Sequence, residues 1–179
     1  MKKSSFFCFL VLLSFAVAAH GLSCNNENDG TWTQINRANG AYCLMPIHGS
    51  LSRYEAYDKC SDYGGQLAGI ENSQELQTFA SLAEKQYRRF YPNVENVKFW
   101  IGGLRKVECR NGASCSTPYL YSDQFLKGAG YFNWKQGEPA QSKHNNFANC
   151  VTINIKDKTM EADVCQDKMQ GYVCGRKAR

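Results

Sequence analysis

Residues 52–75 read SRYEAYDKCSDYGGQLAGIENSQE, and the fold turns on this stretch. Ser52 with Glu55 three residues on is a capping box. The hydroxyl and the carboxylate each accept from a backbone amide that the first helical turn leaves unpaired. Ala56, Cys60, Tyr63 and Leu67 follow at helical spacing, and Gly64-Gly65 stops the helix. Asn72, with Glu75 three residues on, starts a second helix. Its apolar face is Leu76, Phe79, Ala80, Ala83 and Tyr87, and Pro92 ends it.

Outward from these helices the grammar changes. Leu22 to Gly40 is polar, rich in Asn and Gly, and reads as a loop or hairpin. After Val97, Phe99-Trp100-Ile101 is a short apolar strand followed by Gly102-Gly103. Cys150 to Ile155 alternates, with Val151, Ile153 and Ile155 on one face, and Asp157-Lys158 reads as a turn. Gly171 to Cys174 is a last strand near the chain end. Between Cys109 and Cys150 runs a long stretch dominated by Gly, Asn, Ser, Tyr and Trp. A long irregular segment within a compact domain usually carries function. Helices first and strands later make the class α+β.

Lys2 and Lys3 precede an apolar run from Phe6 to Ala19, and Ala18, Ala19 and Gly21 offer small residues for cleavage. This is the pattern of a secretory signal peptide over residues 1–21, leaving one domain over residues 22–179. The run is too short for a membrane span, and no later segment is long and apolar enough. Of 9 cysteines, Cys8 leaves with the leader. The even set that remains in an exported chain means disulfides rather than a thiol enzyme. The formal charge of +5 includes two leader lysines, so the mature chain is mildly basic and demands no nucleic-acid partner. No Asn-x-Ser/Thr sequon is present.

Together these segments resemble the C-type lectin-like domain family. Tyr54-Glu55-Ala56, Cys60, Gly64 to Ile70 and Glu75 are similar to the family's first-helix signature. Trp100-Ile101-Gly102-Gly103 is similar to its core strand. Tyr131-Phe132-Asn133-Trp134 and Gly137-Glu138-Pro139 resemble its long-loop motif. Asn149-Cys150-Val151, Cys165 and Tyr172-Val173-Cys174 resemble its closing strands. The likeness spans nearly the whole mature chain, in order. It implies two helices with antiparallel sheets and a long loop region, stapled by disulfides.

The resemblance also implies a connectivity, where spacing alone leaves about 105 pairings for eight cysteines. The first-helix cysteine bonds the last one, Cys60–Cys174. The long-loop pair is Cys150–Cys165, and an N-terminal pair is Cys24–Cys43. Cys109 and Cys115 remain within an insertion and are assigned to each other. Cys60–Cys174 closes the longest loop, for which chain entropy suggests about 4–5 kcal/mol.

Sugar-binding members of the family hold Ca²⁺ in the long loop through side-chain oxygens. This chain departs from their ligand set. Ala140 follows Glu138-Pro139 where Asn or Asp is expected. Ala148 stands where a Glu precedes the third framework cysteine, and Met160 to Val164 contains no Trp-Asn-Asp. A complete sugar-coordinating Ca²⁺ site is therefore not expected. Glu138 and Asp163 are the only residues left to hold a metal. Glu138 is read instead as a structural acceptor for loop backbone, and Pro139 as a candidate cis residue. The candidate ligand-binding residues of the loop are Glu138, Pro139, His144, Asn145, Asn146, Asn149 and Asp163.

Other residues carry less. His48 and His144 lack metal-ligand spacing. Arg88-Arg89 answer a helix C-terminus. Trp100 and Trp134 fit core positions. Tyr119, Tyr121, Phe125 and Tyr131 approach the loop, either as an aromatic platform or as buried rings. Catalysis is not expected: Glu138 with Asp163 is the only carboxylate pair to nominate, and no nucleophile, zinc or phosphate-loop motif occurs. The expectation is a secreted, extracellular binding module for a glycan or glycoprotein ligand, with a host-defence role by family analogy. The alternative is a module of the same fold that binds protein or lipid. No collagen-like or coiled-coil segment is present, which favours a monomer or small oligomer.

Overall fold

The computed structural model describes residues 23–24, 31–90, 92–93, 96–110 and 115–179. The proposed leader, residues 1–21, and the start of the mature chain at Leu22 lie outside them. A hairpin of β1 (Thr33–Arg37) and β2 (Gly40–Leu51) leads into α1 (Arg53–Asp62). Strand β3 (Gln66–Leu67), helix α2 (Ser73–Arg88), β4 (Lys98–Arg105) and β5 (Tyr119–Tyr121) follow. The long loop contains a small hairpin, β6 (Ser142–Lys143) and β7 (Asn146–Phe147). The chain closes with β8 (Cys150–Asn154), β9 (Met160–Asp163) and β10 (Met169–Lys177).

The main sheet has the order β1-β2-β10-β4-β8-β9, with β3 on β10 and β5 on β4. Its pairings are antiparallel except β10 with β4, where Gly171 and Tyr172 lie opposite Phe99 and Trp100 in parallel. The last strand therefore runs through the middle of the sheet and brings the two ends of the domain together. Ser23 and Arg179 exchange backbone hydrogen bonds of 3.0 and 3.2 Å.

Both caps form as the sequence reading expects. Ser52 and Glu55 make the reciprocal pair, and the Asn72 side chain accepts from the Glu75 amide. α1 ends sooner than the helical spacing to Leu67 implies. Leu67 lies in β3, opposite Cys174, because Gly64 (φ 66°) turns the chain out of the helix. α2 buries Leu76, Phe79, Ala80, Ala83 and Tyr87, forming one core cluster with Phe99, Ile101, Val151 and Ile153. A second cluster joins α1 to Trp100, Leu67 and the Cys60–Cys174 and Cys150–Cys165 bridges. The other disulfides are Cys24–Cys43 and Cys109–Cys115.

Two strands run longer than their local sequence suggests. β2 spans 12 residues although it contains Pro46 and Gly49. β1 pairs with it only as far as Leu44, so Pro46 meets β10 on one side and has no strand on the other. A strand with one free side tolerates a missing amide hydrogen. β4 runs straight through Gly102-Gly103. A Cβ on Gly102 would stand 2.5 Å from the Leu67 carbonyl oxygen, and one on Gly103 would stand 2.6 Å from Val151 Cγ2. These glycines permit close approach rather than end the strand. β8 is buried at every position, because β4 and β9 flank it.

A buried ionic knot ties the first hairpin to α2 and the following loop. Arg37 ion-pairs with Glu75 and, at 2.8 Å, with Asp123, and its guanidinium lies 3.5 Å over the Tyr42 ring. Asp123 also accepts from the Tyr42 hydroxyl at 2.6 Å and the Gly69 amide at 3.0 Å. Burial pushes the Tyr42 phenol well above its ordinary pKa, and the Asp123 charge adds to the shift.

Candidate functional site

Arg105, at the end of β4, organises the long loop from below. Its guanidinium donates to the Ala140 carbonyl at 2.7 Å and to the Ala148 carbonyl at 3.2 Å. It also lies 4.7 Å over the Tyr119 ring. The Tyr119 hydroxyl donates to the same Ala148 carbonyl at 2.6 Å. The two alanines that break the calcium-ligand pattern thus contribute backbone oxygens to an arginine clamp. Ala148 is fully buried beneath it.

Above the clamp the loop closes on a compact charge cluster. The Glu138–Pro139 peptide is cis. Glu138 Oε2 accepts from the Ala140 amide at 2.6 Å and the Ala162 amide at 3.0 Å. Its other oxygen lies 3.2 Å from Lys143 Nζ. The Lys143 ammonium also contacts Glu161 Oε2 and Asp163 Oδ1, each at 3.0 Å. Lys98 reaches Glu161 at 2.7 Å and Asp163 at 3.1 Å, and Lys135 reaches Glu161 at 3.1 Å. Thr152, fully buried on β8, donates a short hydrogen bond to Asp163.

Sequence spacing explains part of this assembly. Glu161 and Asp163 are two apart on β9 and so share a face. β8 and β4 pack beside that strand and bring up Thr152 and Lys98. Lys143 arrives from the β6–β7 hairpin, whose turn residues His144 and Asn145 both have positive φ (49° and 61°). Burial alone would raise the Glu161 carboxyl. Hydrogen bonds from Lys98, Lys143 and Lys135 outweigh it and hold the pKa down at about 2. For Lys143 burial works to lower the pKa, but the facing Glu161, Asp163 and Glu138 raise it above the ordinary lysine range.

This arrangement does not suit a calcium ion. Calcium takes 6–8 oxygen ligands, whereas Glu138 and Asp163, the residues left for it, both face the Lys143 ammonium. A bound amine already supplies the positive charge. Among the described residues no group of three or more His, Cys, Asp or Glu side chains is arranged for a metal.

The candidate loop residues fall into two sets. Glu138, Pro139 and Asp163 belong to the cluster. His144, Asn145 and Asn146 stand exposed at the hairpin, and Asn149 is half-buried beside β8. The aromatic platform does not form. Tyr119 is buried, while Tyr121 stacks on Phe132 at 4.4 Å and Phe132 on Trp134 at 5.2 Å, packed against the core. Sequence reasoning missed Lys98, Lys135, Lys143, Glu161, Thr152 and Arg105. Only the Glu161/Asp163 alternation was readable. The lysines that neutralise it come from as far as 65 residues away.

With this geometry in view, known proteins can be compared. A model of the family described as C-type lectin domain-containing protein 141/158 matches residues 29–178. The chain belongs to this C-type lectin domain family. It is 25% identical over 162 residues to an accessory gland protein of Drosophila simulans, covering 90% of this chain and 58% of that protein. It is 27% identical over 139 residues to ladderlectin of Oncorhynchus mykiss, covering 78% and 62%. The chain thus spans less than two thirds of either relative. Its backbone superposes on the carbohydrate-recognition domain of cow CD23, solved in the presence of GlcNAc2Man3 oligosaccharide. The TM-score is 0.60 at 20% identity, covering 83% of this chain and 94% of that one. The fold is therefore the C-type lectin-like fold, as the sequence resemblance implies. Domains of this family and fold are generally binding modules rather than enzymes. No helix of the described residues is long and apolar enough to cross a membrane.

Proposed function

We propose that this chain is a secreted, extracellular recognition module that binds carbohydrate or glycoconjugate ligands without calcium. One observation carries the calcium-independent part. The Lys143 ammonium lies within 3.0–3.2 Å of Glu138, Glu161 and Asp163. A loop neutralised by its own lysine is preformed and has no need of an ion to hold its shape. Membership of the family supports the recognition role, and the four disulfides suit an oxidising, extracellular setting. The exposed loop residues His144, Asn145 and Asn146 offer hydrogen-bonding groups to a ligand. A host-defence role follows from family analogy alone.

A glycan array run with Ca²⁺ and with chelator tests this reading. Binding of the same glycans in both conditions is the expected result. Binding that vanishes with chelator, or no binding to any glycan, would count against it. A second reading, protein or lipid binding, draws on the exposed apolar residues Tyr54, Tyr57, Leu120 and Phe147. A defined partner whose capture ignores free sugar and chelator would favour it.

A further inference from the structure

Arg53 is the first residue of α1 and is only 5% exposed. Its Nε and Nη2 are sealed from solvent and have no hydrogen-bond partner. No carboxylate of the described residues pairs with it. Burial lowers its pKa, and only the phenols of Tyr54 and Tyr57 oppose that shift. A buried guanidinium without a counter-charge is costly, by several kcal/mol in order of magnitude. Every other strongly buried cation of the described chain is matched: Arg37 by Glu75 and Asp123, and Arg105 by two carbonyls. The helix start does not explain Arg53, because the capping box and the Cys165 carbonyl already satisfy its backbone.

Arg53 lines a hollow of about 400 Å³ with Arg110, Asn146, Asn149, Gln166 and Phe147. No acidic side chain lines it. Asn149 Oδ1 is likewise buried without a partner. A second hollow of about 380 Å³ shares Arg53 and Tyr54 and adds Tyr57 and Asp58. Tyr54, Tyr57 and Phe147 are all exposed at this face. We infer that this hollow is a binding site for an oxyanion carried on a sugar, a carboxylate or sulfate group with a hydroxyl beside it. Arg53 and Arg110 supply the charge, the Asn149 amide takes the hydroxyl, and the aromatic rings flank the sugar face. Nothing needs to be broken for Arg53 to swing onto the ligand, since neither sealed nitrogen has a protein partner to lose. The planar fork then meets two oxygens at once.

The site is separate from the lysine-filled loop cluster. It rests on the glycan-recognition reading only in that a sugar bears the anion. The test uses the full secreted chain with its disulfides intact, at constant ionic strength. Methyl glucuronide and sodium sulfate are titrated against methyl glucoside, and the Arg53 side-chain Nε–H resonance is followed by NMR. The expected result is a saturable shift with glucuronide or sulfate and none with the neutral glucoside. Arg53→Met should weaken the response roughly tenfold or more, as loss of a charge-assisted hydrogen bond does. The same variant should melt about 2–4 °C higher than the parent without ligand, because it removes an unpaired buried charge. An unmoved Arg53 resonance with both anions would mean a water-filled hollow and overturn the inference. So would equal binding of glucoside and glucuronide, or a glucuronide affinity that Arg53→Met leaves unchanged. Neutral glycans that bind the array normally in Arg53→Met would remove this site and leave the general recognition reading standing.

Discussion

Two cations lie at opposite ends of the same electrostatic problem. Lys143 sits among three carboxylates, with Lys98 and Lys135 sharing the load. Arg53 is buried deeper and has no partner for two of its nitrogens. The first region is closed: every charge is answered from within the chain, and nothing is left to attract an ion. The second is open, and its cost to the fold persists until something outside the chain answers it. In a binding protein the unsatisfied region is the better guide to the ligand than the satisfied one.

The hardest way to break this comparison is Lys143→Met. It leaves Glu138, Glu161 and Asp163 to two remaining lysines. It should cost about 2–3 kcal/mol in a urea titration, somewhat below a fully buried pair because the lysine is partly exposed. Calcium should then recover part of that loss in the variant and leave the parent unchanged. A parent stabilised by calcium would show that the ammonium does not occupy the ion's place. Glu138→Ala comes next. It orphans the Ala140 and Ala162 amides, and about 2 kcal/mol should be lost. Glu138→Gln should lose less, since its carbonyl still accepts one of those hydrogen bonds.

Acid sharpens the contrast further. The Glu161 carboxyl is held at about 2, below its ordinary value of about 4.3. A depressed folded pKa gives stability that is present above the unfolded value and is lost as pH falls through the folded one. The melting temperature should therefore fall between about pH 4 and pH 2. Glu161→Gln should flatten that limb, whereas Arg53→Met should leave its slope unchanged. The smallest effect serves as the control. Arg88 pairs with Glu84 across an exposed helix turn, and Arg88→Ala should change stability by no more than about 0.5 kcal/mol.

The architecture was legible where the signal is local. The caps at Ser52 and Asn72, the α2 face and the core strand around Trp100 all lie within a turn or two of their cause. The extent of β2 and the passage of β4 through Gly102-Gly103 were not. Both depend on which strand lies alongside, and Pro46 or Gly102 reads as a breaker until that neighbour is known. At the loop, Glu138 was readable as a backbone acceptor. Arg53 stood in plain view as the first residue after a cap, with nothing to mark it as buried.

The chain by itself determined its helices, its cysteine complement, its family and the loss of two calcium-ligand oxygens at Ala140 and Ala148. Each of these is a property of residue type and short-range spacing. Only the tertiary structure decided that Lys143 would fill the loop and that Arg53 would be left unanswered. Coulomb energy depends on through-space distance and burial, and both are set by residues far apart along the chain.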